Sequence, residues 1–145
     1  MIKRYGNSPE VGQKYTLRHG VYVILPNAGQ ILLTYQAKPH YEFQLPGGGI
    51  DAGESPLQAL HREVFEETGW SIAKPRRLGA FRRFVWMPDY DMYAEKLCCI
   101  YTAMPIRRHG PPRETGHEAV WMYPSDAIQE LANDGDAAFV ANLSF

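Results

Sequence analysis

Glu63, Glu66 and Glu67 stand at i, i+3 and i+4 in the run Leu60-His-Arg-Glu-Val-Phe-Glu-Glu-Thr-Gly69. On a helix that spacing puts three carboxylates on one face. Neighbouring like charges of this kind repel by about a few tenths of a kcal/mol per pair, so the pattern asks for a counter-charge. Hard divalent cations take oxygen ligands, and Mg2+ is commonly held by one or two carboxylates together with water and substrate phosphate. Arg62, beside them, can orient a carboxylate through a bidentate hydrogen bond. The plainer alternative is a solvated acidic helix face. Upstream, Leu45–Glu54 carries Gly47, Gly48, Gly49 and Gly53. Glycines permit close backbone approach, and a glycine-rich run entering a helix also resembles a generic phosphate site.

The element that must hold these carboxylates is legible. Ser55 can cap a helix, Pro56 suits its first position and Gln58 completes a capping box. Gly69 is placed to stop it in a left-handed conformation. The reading is therefore a helix over Pro56–Thr68, with Leu57, Leu60 and Val64 as the apolar face packed on the core and His61 on that apolar side. Around it, strands are expected at Leu17–Leu25, Gln30–Gln36, Tyr41–Leu45, Ser71–Ala73, Leu78–Trp86, Met92–Met104 and His117–Met122. Residues 26–29 read as a hairpin turn. Further helices are expected from Pro124 to about Ala132 and over Ala137–Leu143. Residues 1–16 read as an arm or edge segment, Arg107–Arg113 as a Pro/Gly-rich loop, and Pro111–Gly116 as mobile. Strands flanking isolated helices give an α/β domain.

Residues 48–70 fit G-x5-E-x7-R-E-U-x-E-E-x-G-U, where U is bulky and apolar. The fixed positions are Gly48, Glu54, Arg62, Glu63, Glu66, Glu67 and Gly69, with Val64 at the first U. This resembles the signature of the Nudix hydrolase family (MutT-like), which cleaves diphosphate linkages in nucleotides with a divalent metal. The final U, usually aliphatic, is Trp70. The resemblance implies an α/β/α sandwich with a mixed β-sheet and a loop–helix–loop catalytic box at 48–70, in one domain spanning 1–145. It implies Mg2+ or Mn2+ on Glu63, Glu66 and Glu67, and a backbone carbonyl from the glycine loop, at Gly47 or Gly48 with Gly48 preferred. Arg62 joins the three glutamates as catalytic machinery. Members recruit a further acid outside the box. Glu118, ahead of Trp121 and held by a strand, is favoured over Glu114. The substrate class is a nucleoside diphosphate derivative: a nucleoside triphosphate, dinucleoside polyphosphate, nucleotide sugar or ADP-ribose type. A catalytically silent nucleotide-binding module is the alternative, and isomerase chemistry on isoprenoid diphosphates a third possibility. Pro88 and Tyr90 do not choose between subfamilies.

Substrate contacts are expected from Arg82, Arg83 and Tyr90, with Lys96 as a further cation. Along Leu78–Trp86, Phe84 and Trp86 share one face and Phe81 takes the other. None of the five histidines shows the paired spacing of a zinc site. The 145 residues suit one domain. A hydrophobic fraction of 45% supports a core, and a net charge of −1 gives no bulk attraction to nucleic acid or membrane. A capped RNA end is the one nucleic-acid substrate kept, and a homodimer stays open. Cys98 and Cys99 are adjacent, so a strand points them to opposite faces. With no disulfide framework and no apolar leader, the cytoplasm is the expected compartment.

Overall fold

Two sheets and three helices arise from two hydrophobic periods in the sequence. A computed structural model of the chain describes residues 2–145. The larger sheet is mixed and has the order β1 (Lys3–Arg4), β7 (Trp70–Met87), β8 (Met92–Arg108), β2 (Thr16–Ile24), β6 (Gly47–Gly49). β2 runs parallel to β8, β7 antiparallel to β8, and β6 antiparallel to β2. The smaller sheet joins β3 (Pro26–Asn27), β4 (Gln30–Gln36) and β5 (Glu42–Gln44), with β9 (His117–Met122) antiparallel to β4.

Alternation along β2 decides the layers. Val21 and Val23 face a core shared with Leu32 of β4 and with Leu60 and Val64 of α1 (Pro56–Thr68). Ile24 joins a second core with Phe81, Ile100, Leu131 and Val140. That side is closed by α2 (Pro124–Glu130) and α3 (Asp134–Ala141). Helices therefore cover both sides of the strands, which is the expected α/β/α arrangement.

α1 has the bounds and caps expected of it. Gln58 N donates to Ser55 Oγ at 3.1 Å, and Ser55 N donates to Gln58 Oε1 at 2.8 Å; such a cap is worth about 1 kcal/mol. Gly69 ends the helix at φ 77°, and a Cβ there would sit 2.0 Å from the Gly110 carbonyl oxygen. The apolar face differs by one turn. Ala59, Leu60 and Val64 are fully buried, whereas Leu57 is 44% exposed and His61 is also exposed. The first turn of the helix projects past the core, so Leu57 keeps the right phase with nothing to pack on.

Other departures concern continuity. Ser71–Ala73 and Leu78–Trp86 belong to one strand, β7, whose pairing shifts register near Ala73/Arg76 and Arg77/Gly79, with Lys74 at φ 52°. Pro75 lacks an N–H, and a bulge is where a sheet tolerates that. β8 likewise runs beyond Met104 to Arg108 through Pro105. The glycine run is an edge strand, not a free loop: Gly47–Gly49 pairs with Gly20–Tyr22. Of the expected N-terminal arm, Met1 lies outside the described residues, and Lys3–Arg4 form the edge strand β1 along Phe81–Arg82. No helix among the described residues is long and apolar enough to cross a membrane.

Candidate active site

Helix α1 lies against the edge strand β6, and this contact gives its three carboxylates different surroundings. Glu67 is 6% exposed and its Oε1 accepts the Gly47 N–H at 3.0 Å. Glu63 is half-buried and presses on Gly48, where a Cβ would come within 2.6 Å of the carboxylate. A larger residue there would push the Glu63 carboxylate out of its place. Glu66 faces outward. The pairing of β2 with β6 decides which carbonyl meets this cluster. Ile50 N donates to His19 O, and Val23 N donates to Pro46 O. Val21 and Gly48, opposite each other between those bonds, are the next hydrogen-bonded pair. The carbonyl of Gly48 is thus turned to β2. Gly47 points its N–H at Glu67, and its carbonyl shares that side. Of the two carbonyls, that of Gly47 and not the expected Gly48 faces the carboxylates.

Arg62 ties the box together. Its Nε and Nη2 donate to the two oxygens of Glu54 at 2.7 and 2.8 Å. Nη1 donates to Glu63 at 2.8 Å and Glu66 at 3.2 Å, and Nη2 reaches the Gly49 carbonyl at 3.2 Å. The hydrogen bonds from Arg62 hold Glu54 down to about 2 from its usual 4.5.

The opposite wall comes from residues 113–117. Oxygens of Glu114 lie within 4.8 Å of ligand atoms of Glu63 and Glu66, and of Glu67 and His117. The segment is anchored: Arg113 N and Glu114 N donate to the Glu66 carbonyl at 2.8 and 2.9 Å. His109 N donates to Gly69 O at 2.8 Å, and the Arg113 guanidinium lies 4.8 Å over the Phe65 ring. The expected mobile loop is fastened to the end of α1. Glu118, though held by β9 as expected, is exposed and alternates to the face away from His117. It reaches neither acidic group. The preference for Glu118 over Glu114 is reversed geometrically.

His117 is the functional candidate missed from sequence. Its Nδ1 shares a 2.8 Å hydrogen bond with Thr34 Oγ1. Burial lowers its pKa, against the pull of Glu114. That shift favours the neutral imidazole, which weakens any ion pairing across its 3.9 Å approaches to Glu67 and Glu114. The Glu114-x-x-His117 spacing before a strand was the available signal.

Burial raises the pKa of Glu67 well above its usual value, reinforced by Glu63, Glu114 and Glu66 and opposed by the Gly47 N–H. Burial likewise raises Glu63, against Arg62. Both groups bind protons more tightly in the folded protein than in the unfolded chain. Their contribution to stability is greatest below the unfolded value of 4.5 and is lost as pH rises through the raised folded values. At neutral pH the cluster is strained by its own charge, and a donor set of carboxylates with one neutral imidazole suits a divalent cation. Saturating divalent cation is expected to raise Tm at about pH 7.5 and less at about pH 5, where protons compete. At a hundredfold excess over Kd the gain is about 2.7 kcal/mol, roughly 5–10 °C for this size. An unchanged Tm in differential scanning calorimetry would remove the metal site.

A cavity of about 870 Å³ opens beside the carboxylates. Arg83 and Tyr90 line it, as do Lys96, Arg18 and Trp86. Arg82 does not: it is exposed and pairs with Glu95 at 3.4 Å. Its expected substrate contact is corrected. Phe81 is fully buried while Trp86, on the other face, is 47% exposed.

A NUDIX domain family model matches residues 14–143. A putative 8-oxo-dGTP diphosphatase of Bacillus subtilis is 39% identical over 74 residues, covering 51% of this chain and 50% of that protein. An RNA pyrophosphohydrolase of Blochmanniella pennsylvanica is 40% identical over 73 residues, covering 50% and 44%. The chain's match thus spans about half the length of these curated relatives. Among solved structures, a MutT protein of Bacillus halodurans superposes with TM-score 0.70 at 22% identity, covering 86% of this chain and 80% of that one. A MutT NUDIX hydrolase of Burkholderia pseudomallei superposes with TM-score 0.71 at 20% identity, covering 89% and 99%. At those identities the likeness is one of fold.

Proposed function

The chain belongs to the Nudix family, and on that premise we propose that it is a pyrophosphohydrolase cleaving a diphosphate linkage in a nucleoside diphosphate derivative. The observation that carries this is the convergence of Glu63, Glu66, Glu67, Glu114 and His117 beside one large cavity. Mg2+ or Mn2+ is the proposed ion, held by Glu63, Glu66, Glu67 and the Gly47 carbonyl. When bound it polarises phosphate oxygens and makes water a better acid. Arg62 fixes Glu63 and Glu66 through its anchor on Glu54. Glu114 touches both acidic groups and is the proposed additional acid. A water proton passes to a carboxylate oxygen of this cluster as the water oxygen bonds to phosphorus and the bridging P–O bond breaks. His117, held by Thr34, stands 3.9 Å from both Glu67 and Glu114 and is a further nitrogen donor for the cluster. Arg83 and Tyr90 contact the substrate from the cavity wall.

Intact charged positions that converge in space speak against a silent module. The reading takes residues 1–145 as one domain. The free thiols of Cys98 and Cys99 fit a reducing compartment, and we place the protein in the cytoplasm. The relatives' names, a putative 8-oxo-dGTP diphosphatase and an RNA pyrophosphohydrolase, support a nucleotide substrate, and a capped RNA end is kept among the candidates.

Glu114→Gln is expected to lower kcat by about a hundredfold or more, and Glu118→Gln by no more than about twofold. Steady-state kinetics showing the reverse order would restore Glu118. The proposal itself is tested by a phosphate-release screen with Mg2+ or Mn2+ over nucleoside triphosphates, dinucleoside polyphosphates, nucleotide sugars, ADP-ribose and capped RNA. Release from at least one class is expected. Silence across the whole screen with both ions, from folded protein, would favour the binding module.

A further inference from the structure

Arg18, Lys96 and Arg83 stand directly opposite one another on three neighbouring strands. Arg18 pairs with Lys96 across β2 and β8, and Lys96 with Arg83 across β8 and β7. All three are half-buried and line the same cavity as the carboxylates. Strands lie about 4.8 Å apart, so the three roots span only about 10 Å. Like charges directly opposite on a sheet are destabilising. Burial lowers the pKa of Lys96, and Arg83 and Arg18 add to that, against the pull of Cys98 and Asp136. Among the described residues none of the three lies within 4.0 Å of a carboxylate oxygen. Rings hold two of them instead. The Arg18 guanidinium sits 4.7 Å over Tyr90, and Lys96 Nζ lies 5.8 Å from the Tyr22 ring. A ring steadies a cation without neutralising it.

Two acids face this row. Asp136, buried at the start of α3, acts through space on Arg83 and Lys96. Glu42 accepts the Gln44 amide at 2.8 Å. Neither acid comes within 4.0 Å of the three cations, so the row keeps its charge unpaired although Glu63, Glu67 and Glu114 line the same cavity. Repulsion retained in a half-buried row, with no ion pair to relieve it, points to an anion as the missing partner. We propose that Arg18, Lys96 and Arg83 bind a phosphate group of the substrate other than the diphosphate cleaved at the carboxylates. The substrate is then a nucleotide carrying one phosphate more than the reaction needs: a longer phosphate chain or a phosphomonoester on the sugar. The identification as substrate rests on the hydrolase reading; the phosphate site does not.

The test is isothermal titration calorimetry of the metal-free protein in EDTA and low salt, with inorganic phosphate as probe. Binding in the millimolar range is expected, weakened about tenfold or more in Lys96→Gln and in Arg18→Gln, and unchanged in Glu118→Gln. No binding to the wild type up to about 50 mM, or equal binding by wild type and both variants, overturns the proposal. Two nucleotide pairs then separate the sources. An affinity gain from 5′-AMP to adenosine 3′,5′-bisphosphate that Lys96→Gln abolishes assigns the row to a sugar phosphate. A gain from ADP to ATP that the same variant abolishes assigns it to a longer chain. Loss of neither gain overturns the substrate assignment. Phosphate binding without hydrolysis in the substrate screen would leave the row standing and sink the hydrolase reading alone.

Discussion

Glu67→Gln is expected to lower turnover by roughly a hundred- to a thousandfold with the fold intact. Glu67 is nearly fully buried and its one hydrogen bond among the described residues comes from the Gly47 N–H at 3.0 Å. Glutamine keeps the volume and an amide oxygen that can accept that bond, so packing is conserved. What disappears is the charge. Burial and three neighbouring carboxylates raise the pKa of this group against the Gly47 N–H, and a bound cation would favour its ionised form. The variant should gain thermal stability in EDTA and lose most of the stabilisation by divalent metal. Near-wild-type turnover at saturating Mg2+ would remove Glu67 from the site, whatever the other glutamates do.

Arg62→Lys should cost about ten- to a hundredfold in kcat, the usual range for a residue that positions metal ligands. The guanidinium donates to Glu54 through two nitrogens while a third holds Glu63 and Glu66. A lysine ammonium is one point charge on a flexible stem and cannot span both sides of that fork. A second readout separates positioning from mere destabilisation. Glu54 has its folded pKa depressed to about 2. Its stabilising contribution is present above the usual 4.5 and lost as pH falls through about 2. In Arg62→Lys the Glu54 titration, followed by NMR, should return toward 4.5. An unmoved titration with full activity would mean the fork is ornamental.

The helix carrying this chemistry was readable because its signals are local. Ser55, Pro56, Gln58 and Gly69 each act within one turn of their own position, and no tertiary contact overrides them. The identity of the fourth acid was not local. Glu114 lies in the turn before β9, fastened to the Glu66 carbonyl at the end of α1, whereas Glu118 lies within β9 and alternates away from His117; that phase depends on where β9 docks on β4. His117 stayed hidden for a related reason. Its partners Thr34 and Glu67 come from other elements, so no spacing in the chain announces them. Gly47 and Gly48 are chemically identical, and only the register of β6 against β2 tells which carbonyl faces the carboxylates. Pro75 and Pro105 read as strand ends because a proline cannot donate to a ladder, yet β7 absorbs one in a bulge and β8 passes through the other. The row Arg18–Lys96–Arg83 joins residues far apart in sequence, and pairing alone brings them level.

Phosphate release from the best nucleotide in the screen, followed after rigorous chelation and then on adding back Mg2+ or Mn2+, measures the central claim most directly. The account predicts activity abolished by EDTA and restored by either ion, with the restoration lost in Glu67→Gln. Full activity after chelation would contradict it.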